Sequence, residues 1–332
     1  MSVLLVACSA VVTGARSFVA IGQWARNAPQ DTLARLGART ATVSGIRAAP
    51  SGATVRRLIN HTCPGGLADL LGHDPAGAGQ VAVDGETARD SRSGDSPAAH
   101  LLAAITDTGQ TVTQLRVPDK TNEITCFAAL LEPYDLTGVT VTADALHTQR
   151  EHARYLVEEK KAHYAFTVKR NQPNLYALLK ALPWNEARAR YYDCSRGHGR
   201  LETRVVQALT VTGLGVDFPH AAQVAKIVRH RTDTETGKRT RETVYVVTDL
   251  TSRQASPERI AKIVRSQWVI ENRLHFVRDT ALREDASKIR TGHGPENMAT
   301  LRSSPSTSSA PRATPTSPPG YARCPSAPSS GH

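Results

Sequence analysis

The chain has 332 residues, 40% of them hydrophobic, and is therefore long enough for one large domain or two modest ones with real cores. Its formal net charge of +11 favours a polyanionic partner, of which nucleic acid is the commonest, without excluding basic enzymes of other kinds. The five cysteines have neither metal-ligand nor redox-motif spacing, and their odd number argues against a disulfide framework and for a reducing cytosol.

Residues 1–75 carry apolar side chains at helical intervals, which predicts a helical N-terminal domain. The apolar start is too short to span a bilayer and has no Lys or Arg before it, so a buried helix is favoured over a signal peptide. We therefore expect a cytoplasmic protein without a membrane segment. Ser51 is a suitable N-cap for a helix with Arg56 and Arg57, whose side chains either contact DNA or face solvent.

Between residues 80 and 170 the pattern changes to short apolar runs that are typical of strands. The first run ends on Asp84, the next two flank a hairpin turn at 107–110, and the fourth ends on Asp144. Helices are predicted after the third and fourth strands, followed by a fifth strand. This order is expected of an α/β fold with a ribonuclease-H-like mixed sheet, in which the first and fourth strands are neighbours.

Alternating runs at about 175–250 predict an antiparallel β insertion, and a helical pattern returns at 256–279. The last 30 residues, 303–332, hold nine Ser and seven Pro and no Asp, Glu or Lys. That composition cannot bury a core and predicts a disordered tail.

The acids that end the first and fourth strands point to a metal site. If those strands are neighbours, Asp84 and Asp144 share a small volume, where like charges are unfavourable unless a cation lies between them. Oxygen ligands suit Mg²⁺ or Mn²⁺, and a third acid would complete a site for two ions about 3.5–4 Å apart that promotes phosphoryl transfer. Acids at strand ends are also common as turn residues or caps, so this reading stays open.

Glu271 is the best candidate for the third acid, since Trp268, Glu271, His275 and Arg278 follow a helical spacing that predicts one shared face. Three nearby acids compete with it, and spacing alone does not decide between them: Asp279, Glu284 and Asp285.

Several polar groups near the predicted strand ends are candidates for phosphate contacts. The segment 169–172 follows the fifth strand, and 197–204 is a Gly-flanked basic segment that suits a DNA-backbone contact or an ordinary hairpin turn. His147 could contact a phosphate or support the acids, whereas zinc binding by His147 and His152 lacks a further matched ligand.

An ordered set of motifs resembles the DDE insertion-sequence transposases related to the H-repeat-associated proteins. The motifs lie at 83–85, 100–104, 120–124, 142–149, 168–173, 197–202, 268–275, 284–287 and 290–292. The resemblance covers residues from about 10 to 302. It implies a helical N-terminal domain (1–75) and a ribonuclease-H-like catalytic domain (76–302) interrupted by the β insertion.

The resemblance implies a catalytic and metal-binding set of Asp84, Asp144 and Glu271, with two Mg²⁺ or Mn²⁺ ions. It also implies double-stranded DNA as partner, both element ends and target, with a homodimer in the DNA complex. The activity would be hydrolysis that frees a 3′-hydroxyl group, followed by strand transfer. The side chains expected to hold phosphates are Lys169, Arg170, Arg200, Arg265 and Arg278.

Three departures from the family pattern favour a weakened copy. Glu86 stands where the family usually has Lys, relatives carry additional N-terminal residues, and after Arg302 the sequence turns into a Ser/Pro-rich stretch typical of an out-of-frame read. Two alternatives therefore remain: a DNA-binding remnant without catalysis, and a ribonuclease-H-like nuclease without joining activity.

Overall fold

The computed structural model describes residues 2–41, 45–92, 97–119, 121–197 and 199–303. The predicted tail lies outside the described residues except for Ser303, which ends a helix. The α-helices of the described residues are Ser2–Val12 (α1), Phe18–Asn27 (α2), Gln30–Arg35 (α3), Gly52–His61 (α4), Pro64–Leu71 (α5), Glu123–Leu131 (α6), Arg150–Arg154 (α7), Pro173–Ala181 (α8), Pro257–Ser266 (α9), Trp268–Ile270 (α10) and Gly294–Ser303 (α11). Among these residues, no helix is both long and apolar enough to cross a membrane.

The strands of the described residues form one mixed sheet. They are Gln80–Ala88 (β1), Ala99–Thr106 (β2), Thr111–Val117 (β3), Thr140–Ala143 (β4), His163–Val168 (β5), Ala189–Gly197 (β6), Arg200–Thr210 (β7), Gln223–Asp233 (β8) and Arg239–Thr248 (β9). The order across the sheet is β3-β2-β1-β4-β5-β9-β8-β7-β6. β1 runs parallel to β4 and antiparallel to β2, so the predicted ribonuclease-H-like sheet is confirmed.

Asp84 lies in the middle of β1, because the strand continues to Ala88; the prediction that it ends its strand was wrong. The pairing with β2 extends along the whole strand, whereas the pairing with β4 stops at Val83 opposite Ala143. Asp84 and Asp144 therefore both follow the last residue pair of the β1–β4 ladder.

The predicted β insertion is an extension of the sheet. β9 pairs antiparallel with β5, and β8, β7 and β6 follow it outward. The predicted β region began at about residue 175, but residues up to Ala181 belong to helix α8. Pro173 starts that helix, where its missing N–H group costs nothing.

The helices of the N-terminal region share a hydrophobic core with the end of the described chain. Ile21, Val55 and Ile59 pack with Met298 and Leu301 of α11 in one cluster. Each of these side chains is fully buried. Residues 2–71 are helical as predicted, apart from loops, and helix α11 completes their core; the division into domains stays a prediction.

Candidate active site

The three acids singled out in the sequence line one cavity of about 630 Å³ on the sheet. Asp84 comes from β1, Asp144 follows β4, and Glu271 follows helix α10. The helix that carries Glu271 packs on β1 because Ile270 and Leu274 are buried against alanines of β1 and β2. The remaining lining comes mainly from the β insertion and helix α9.

Buried polar side chains fix this helix to the central strands. Gln267, four residues before Glu271, donates to the Val83 carbonyl at 3.0 Å and accepts from Thr142 Oγ1 at 2.5 Å. Gln80 donates to Thr142 Oγ1 at 2.8 Å and to the Ile263 carbonyl at 3.0 Å. Since buried polar groups are costly to leave unpaired, these bonds determine how the helix sits above β1 and β4.

The pKa of Asp84 is raised to about 7, first by burial and then by the negative charges of Asp144, Glu123 and Glu271, while a backbone hydrogen bond from Gly85 lowers it. Asp144 accepts a hydrogen bond from Ala145 N at 2.5 Å and lies 3.4 Å from Lys169 Nζ. Lys169 is 60% exposed, so it compensates only part of the negative charge. The cluster is therefore short of cations.

His275 joins the acids at the buried end of the site. Ligand atoms of Asp84, Glu271 and His275 lie within 4.8 Å of one another. Burial lowers the pKa of His275 to about 4, so the imidazole is neutral at pH 7. Among the described residues neither of its ring nitrogens has a hydrogen-bond partner, although Nδ1 lies 3.2 Å from Glu86 Oε2 and Nε2 lies 3.9 Å from Asp84 Oδ2.

The predicted shared face of the helix that carries Glu271 holds for Glu271 and His275, whose ligand atoms lie within 4.8 Å of one another, and is wrong for Arg278, which pairs with Glu284. Trp268 is 54% exposed, whereas His275 and Arg278 are 2% exposed. The cause is two π-helical turns, Glu271–His275 and Val277–Ala281, each of which widens the turn and shifts the helix phase that regular spacing assumes.

Arg278 does not reach a position where it could contact DNA. Its guanidinium lies 2.7 Å from Glu284, which also pairs with Arg302 of α11 at 3.2 Å. All three side chains are buried. These three residues form an ion triad that connects the end of the helix that carries Glu271 to α11. The prediction that Arg278 holds a phosphate is therefore wrong, and Arg278 has a structural role. Glu284, a competing third acid, is occupied by the same triad.

A carboxylate that the sequence did not single out lies beside the site. Glu123 accepts from His100 Nε2 at 2.5 Å and from His147 Nε2 at 3.1 Å. These hydrogen bonds lower the pKa of Glu123 to about 2. A Cβ on Gly85 would lie 2.4 Å from the Glu123 carboxyl carbon, so a side chain at this position would displace the Glu123 carboxylate. The resemblance motifs included all these positions without giving them a role.

His147 and His152 do not form a zinc site. His147 is fully buried against Glu123, and the ring nitrogens of His152 lie 3.1 and 3.0 Å from the carbonyls of His147 and Ile124. Because the His147 side chain is buried, it also does not contact a phosphate.

The wall that the β insertion contributes carries charges that pair across strands. Glu202 of β7 contacts Arg204, lies 3.1 Å from Arg231 Nε and 4.0 Å from Arg229 Nη1. Arg229 also pairs with Glu242 of β9 at 2.5 Å. We call these five residues the charge ladder; all of them line the cavity. Periodicity predicted the strands but not the register that brings these side chains together.

The other predicted phosphate contacts have different positions. Lys169 and Arg265 line the cavity, and Arg265 lies 3.4 Å from Asp193. Arg200 is exposed at the start of β7, opposite Asp233 of β8, and is not part of the cavity lining. Arg170 is exposed after β5. The side-chain amides of Asn171 and Gln172 donate hydrogen bonds to backbone carbonyls after β4. They therefore fix the loop that carries Asp144.

Comparison with known proteins identifies relatives of the chain. The family model described as "Transposase DDE domain" matches residues 76–303. "Putative transposase YncI" of Escherichia coli O157:H7 is 30% identical over 236 residues, 67% of this chain and 59% of the relative. "H repeat-associated putative transposase YhhI" of Escherichia coli K12 is 29% identical, over 67% of this chain and 61% of its own length. The chain thus spans about three-fifths of the length of these relatives.

Proposed function

Because the chain belongs to the family of transposases with a DDE domain, we propose that it is a DNA transposase that cuts DNA at the ends of its own element and joins those ends to target DNA. The observation that supports this most strongly is the convergence of Asp84, Asp144 and Glu271 on one cavity. Hydrolysis of a phosphodiester bond frees a 3′-hydroxyl group, which then attacks a target phosphodiester. Both steps develop negative charge that the site must stabilise.

The donor set fits Mg²⁺ or Mn²⁺, and we propose two ions. Asp84 and Asp144 would hold both, and Glu271 would complete the coordination of one. Carboxylate oxygens are the ligands these cations prefer, and a bound cation would compensate the negative charges of Asp144, Glu123 and Glu271 around the buried Asp84. His275 is neutral at pH 7 because its pKa is about 4, so it does not repel a cation. When bound, the cations supply Lewis-acid stabilisation of the reacting phosphoryl group.

The DNA substrate would be held by cations at and around the cavity. Lys169 and Arg265 line it and are 60% and 61% exposed, so they can reach phosphates. Arg170 and Arg200 are exposed and would contact the backbone further out. Arg278 is not part of this set because it is buried in its ion triad.

A non-catalytic DNA-binding remnant is the second candidate, and the position of Glu86 favours it. The Glu86 carboxylate lies on the same side of β1 as Asp84 and 3.2 Å from His275. Burial raises the pKa of Glu86, and the negative charges of Asp279 and Glu271 add to that increase. Such a charge opposes the approach of DNA phosphates.

The test uses a duplex with one end of the encoding element and a labelled 3′ strand, incubated with the full chain and Mg²⁺ or Mn²⁺. A transposase nicks at the element end and, when supercoiled plasmid is added, joins the labelled strand to it. A nuclease cuts without joining. A remnant binds the duplex in both metals without cutting it, and this outcome would overturn the proposed activity.

A further inference from the structure

A second cavity lies at the N-terminal helices, away from the three acids in the fold. It is a groove of about 590 Å³ between helix α2, helix α4 and the segment 288–291. Four cations line it and define what we call the basic groove: Arg26, Arg56, Lys288 and Arg290. All four are exposed side chains, and no carboxylate is among the lining residues.

The cations of the basic groove are not neutralised within the described part of the chain, where none of them forms an ion pair. On the neighbouring helix α3 such a group is paired, since Arg35 lies 3.2 Å from Asp31. Like charges gathered on one concave surface repel one another, and an external anion relieves that repulsion.

The two helices that carry Arg26 and Arg56 cross in direct backbone contact. A Cβ on Gly22 of α2 would lie 3.0 Å from the Gly52 backbone, and one on Gly52 would lie 3.0 Å from the Phe18 carbonyl. Glycine at both positions therefore sets the close approach of the helices, and the arginines are presented by a fixed pair of elements.

The opposite wall is equally fixed. Ile289 is buried in the core of the N-terminal helices, and Lys288 N donates to the Arg16 carbonyl at 3.0 Å. These contacts hold Lys288 and Arg290 at the surface, on either side of the buried Ile289. The same stretch of chain leads back to the helix that carries Glu271, so the wall of the groove is continuous with the active-site scaffold.

We propose that the basic groove binds the phosphate backbone of duplex DNA and so anchors the substrate outside the acid cavity. This rests on the proposed function for the identity of the DNA. Four cations are more than a single phosphate group needs, whereas a DNA strand presents a phosphate at every nucleotide. A DNA backbone therefore fits the basic groove better than a single phosphate group does. Backbone contacts of this kind position a duplex without reading its sequence.

The test compares full-length variants in equilibrium binding of a blunt duplex of about 30 base pairs across a range of salt concentrations. In R26Q/R56Q and in K288Q/R290Q we expect the slope of log K against log salt to fall by about 2, since each lost phosphate contact removes about 0.9. At moderate salt the affinity should fall at least about tenfold. R26K/R56K should keep the wild-type slope because the charges remain.

Arg57 provides a matched control, since it neighbours Arg56 on α4 and is exposed but does not line the groove. R57Q should bind like the wild type. If the groove variants melt at the wild-type temperature and bind like R57Q, the proposal is overturned.

Cleavage of element-end DNA separates this proposal from the proposed function. Groove variants that lose DNA affinity, in a protein whose wild type never cuts, support the groove and reject the catalysis. A wild type that cuts, with groove variants that bind and cut like R57Q, supports the catalysis and rejects the groove.

Discussion

The two walls of the cavity that holds the three acids differ in how far their charges are compensated by neighbouring side chains. On the charge ladder, Glu202 contacts Arg204 of its own strand and Arg231 of β8, and Glu242 of β9 pairs with Arg229 of β8, so the charges compensate one another. On the acid wall, formed by Asp84, Asp144 and Glu271, burial and then the neighbouring carboxylates raise the pKa of Asp84, and Lys169 is the cation within 4.0 Å of Asp144 among the described residues. Folding alone explains the ladder. The acid wall costs stability, and the proposed cations would offset that cost.

The largest expected effect comes from neutralising the acid wall. Asp84→Asn, Asp144→Asn and Glu271→Gln should each reduce Mg²⁺-dependent nicking by about 100- to 10,000-fold, because a metal ion stabilises the transition state by several kcal/mol. Binding of the same duplex, measured without metal, should stay within about threefold of wild type, since none of the three supplies a positive charge. A variant that nicks at the wild-type rate would exclude its residue from the site.

The sequence predicted the acid wall better than the ladder, for a physical reason. Strand order makes β1 and β4 neighbours, so residues at the same end of their ladder meet, and apolar spacing predicts the helix that carries Glu271. The ladder depends on the cross-strand pairing of Glu202 with Arg231, which the residue pattern of a single strand does not contain. Arg278 lies in a π-helical turn, and regular helical spacing does not predict the position of a side chain in such a turn.

The second effect is on stability. The pKa of Asp84 is about 7 in the fold against an ordinary value of 3.8, so the folded protein holds a proton that the unfolded chain releases. This group therefore lowers the stability of the metal-free protein progressively as pH rises from about 4 to about 7, and the full penalty remains above that range. Asp84→Asn should stabilise the protein at pH 8 by about 1–3 kcal/mol and have little effect near pH 4.

Urea unfolding in a chelator at several pH values measures this difference. Glu235→Gln is the control, because Glu235 is exposed in the turn between β8 and β9 and should follow the wild-type curve. Equal pH dependence of the wild type and Asp84→Asn would contradict the raised pKa. Added Mg²⁺ should stabilise the wild type and not the variant, since a ligand stabilises the state that binds it.

The ladder should respond in the opposite direction. Glu202→Gln removes the carboxylate that contacts three arginines and is 16% exposed, so unfolding free energy should fall by about 1–2 kcal/mol. Glu242→Gln is the matched comparison and should cost under about 0.5 kcal/mol, because Glu242 is 55% exposed and pairs only with Arg229 among the described residues. Equal losses in the two variants, measured by urea unfolding, would mean that Glu202 is not the centre of the ladder.

The smallest effect concerns Glu86, which adds one more anion to the acid wall. Burial raises its pKa, Asp279 and Glu271 raise it as well, and Arg278 and Arg89 lower it, so the carboxylate has neighbours of both signs. Glu86→Lys should raise nicking activity about threefold to tenfold. The substitution removes repulsion toward DNA phosphates and stops Glu86 from competing for the proposed cations of Asp84. Each of these effects is worth about a kcal/mol or more at low effective dielectric. Glu86→Gln, which removes the anion without adding a cation, should give part of that gain.

If both variants nick and bind DNA like the wild type, position 86 does not influence the site, although it lies 3.2 Å from His275. If Glu86→Lys loses activity while Glu86→Gln keeps it, the carboxylate cooperates with the acid wall, and the interpretation of Glu86 as a weakening substitution is wrong.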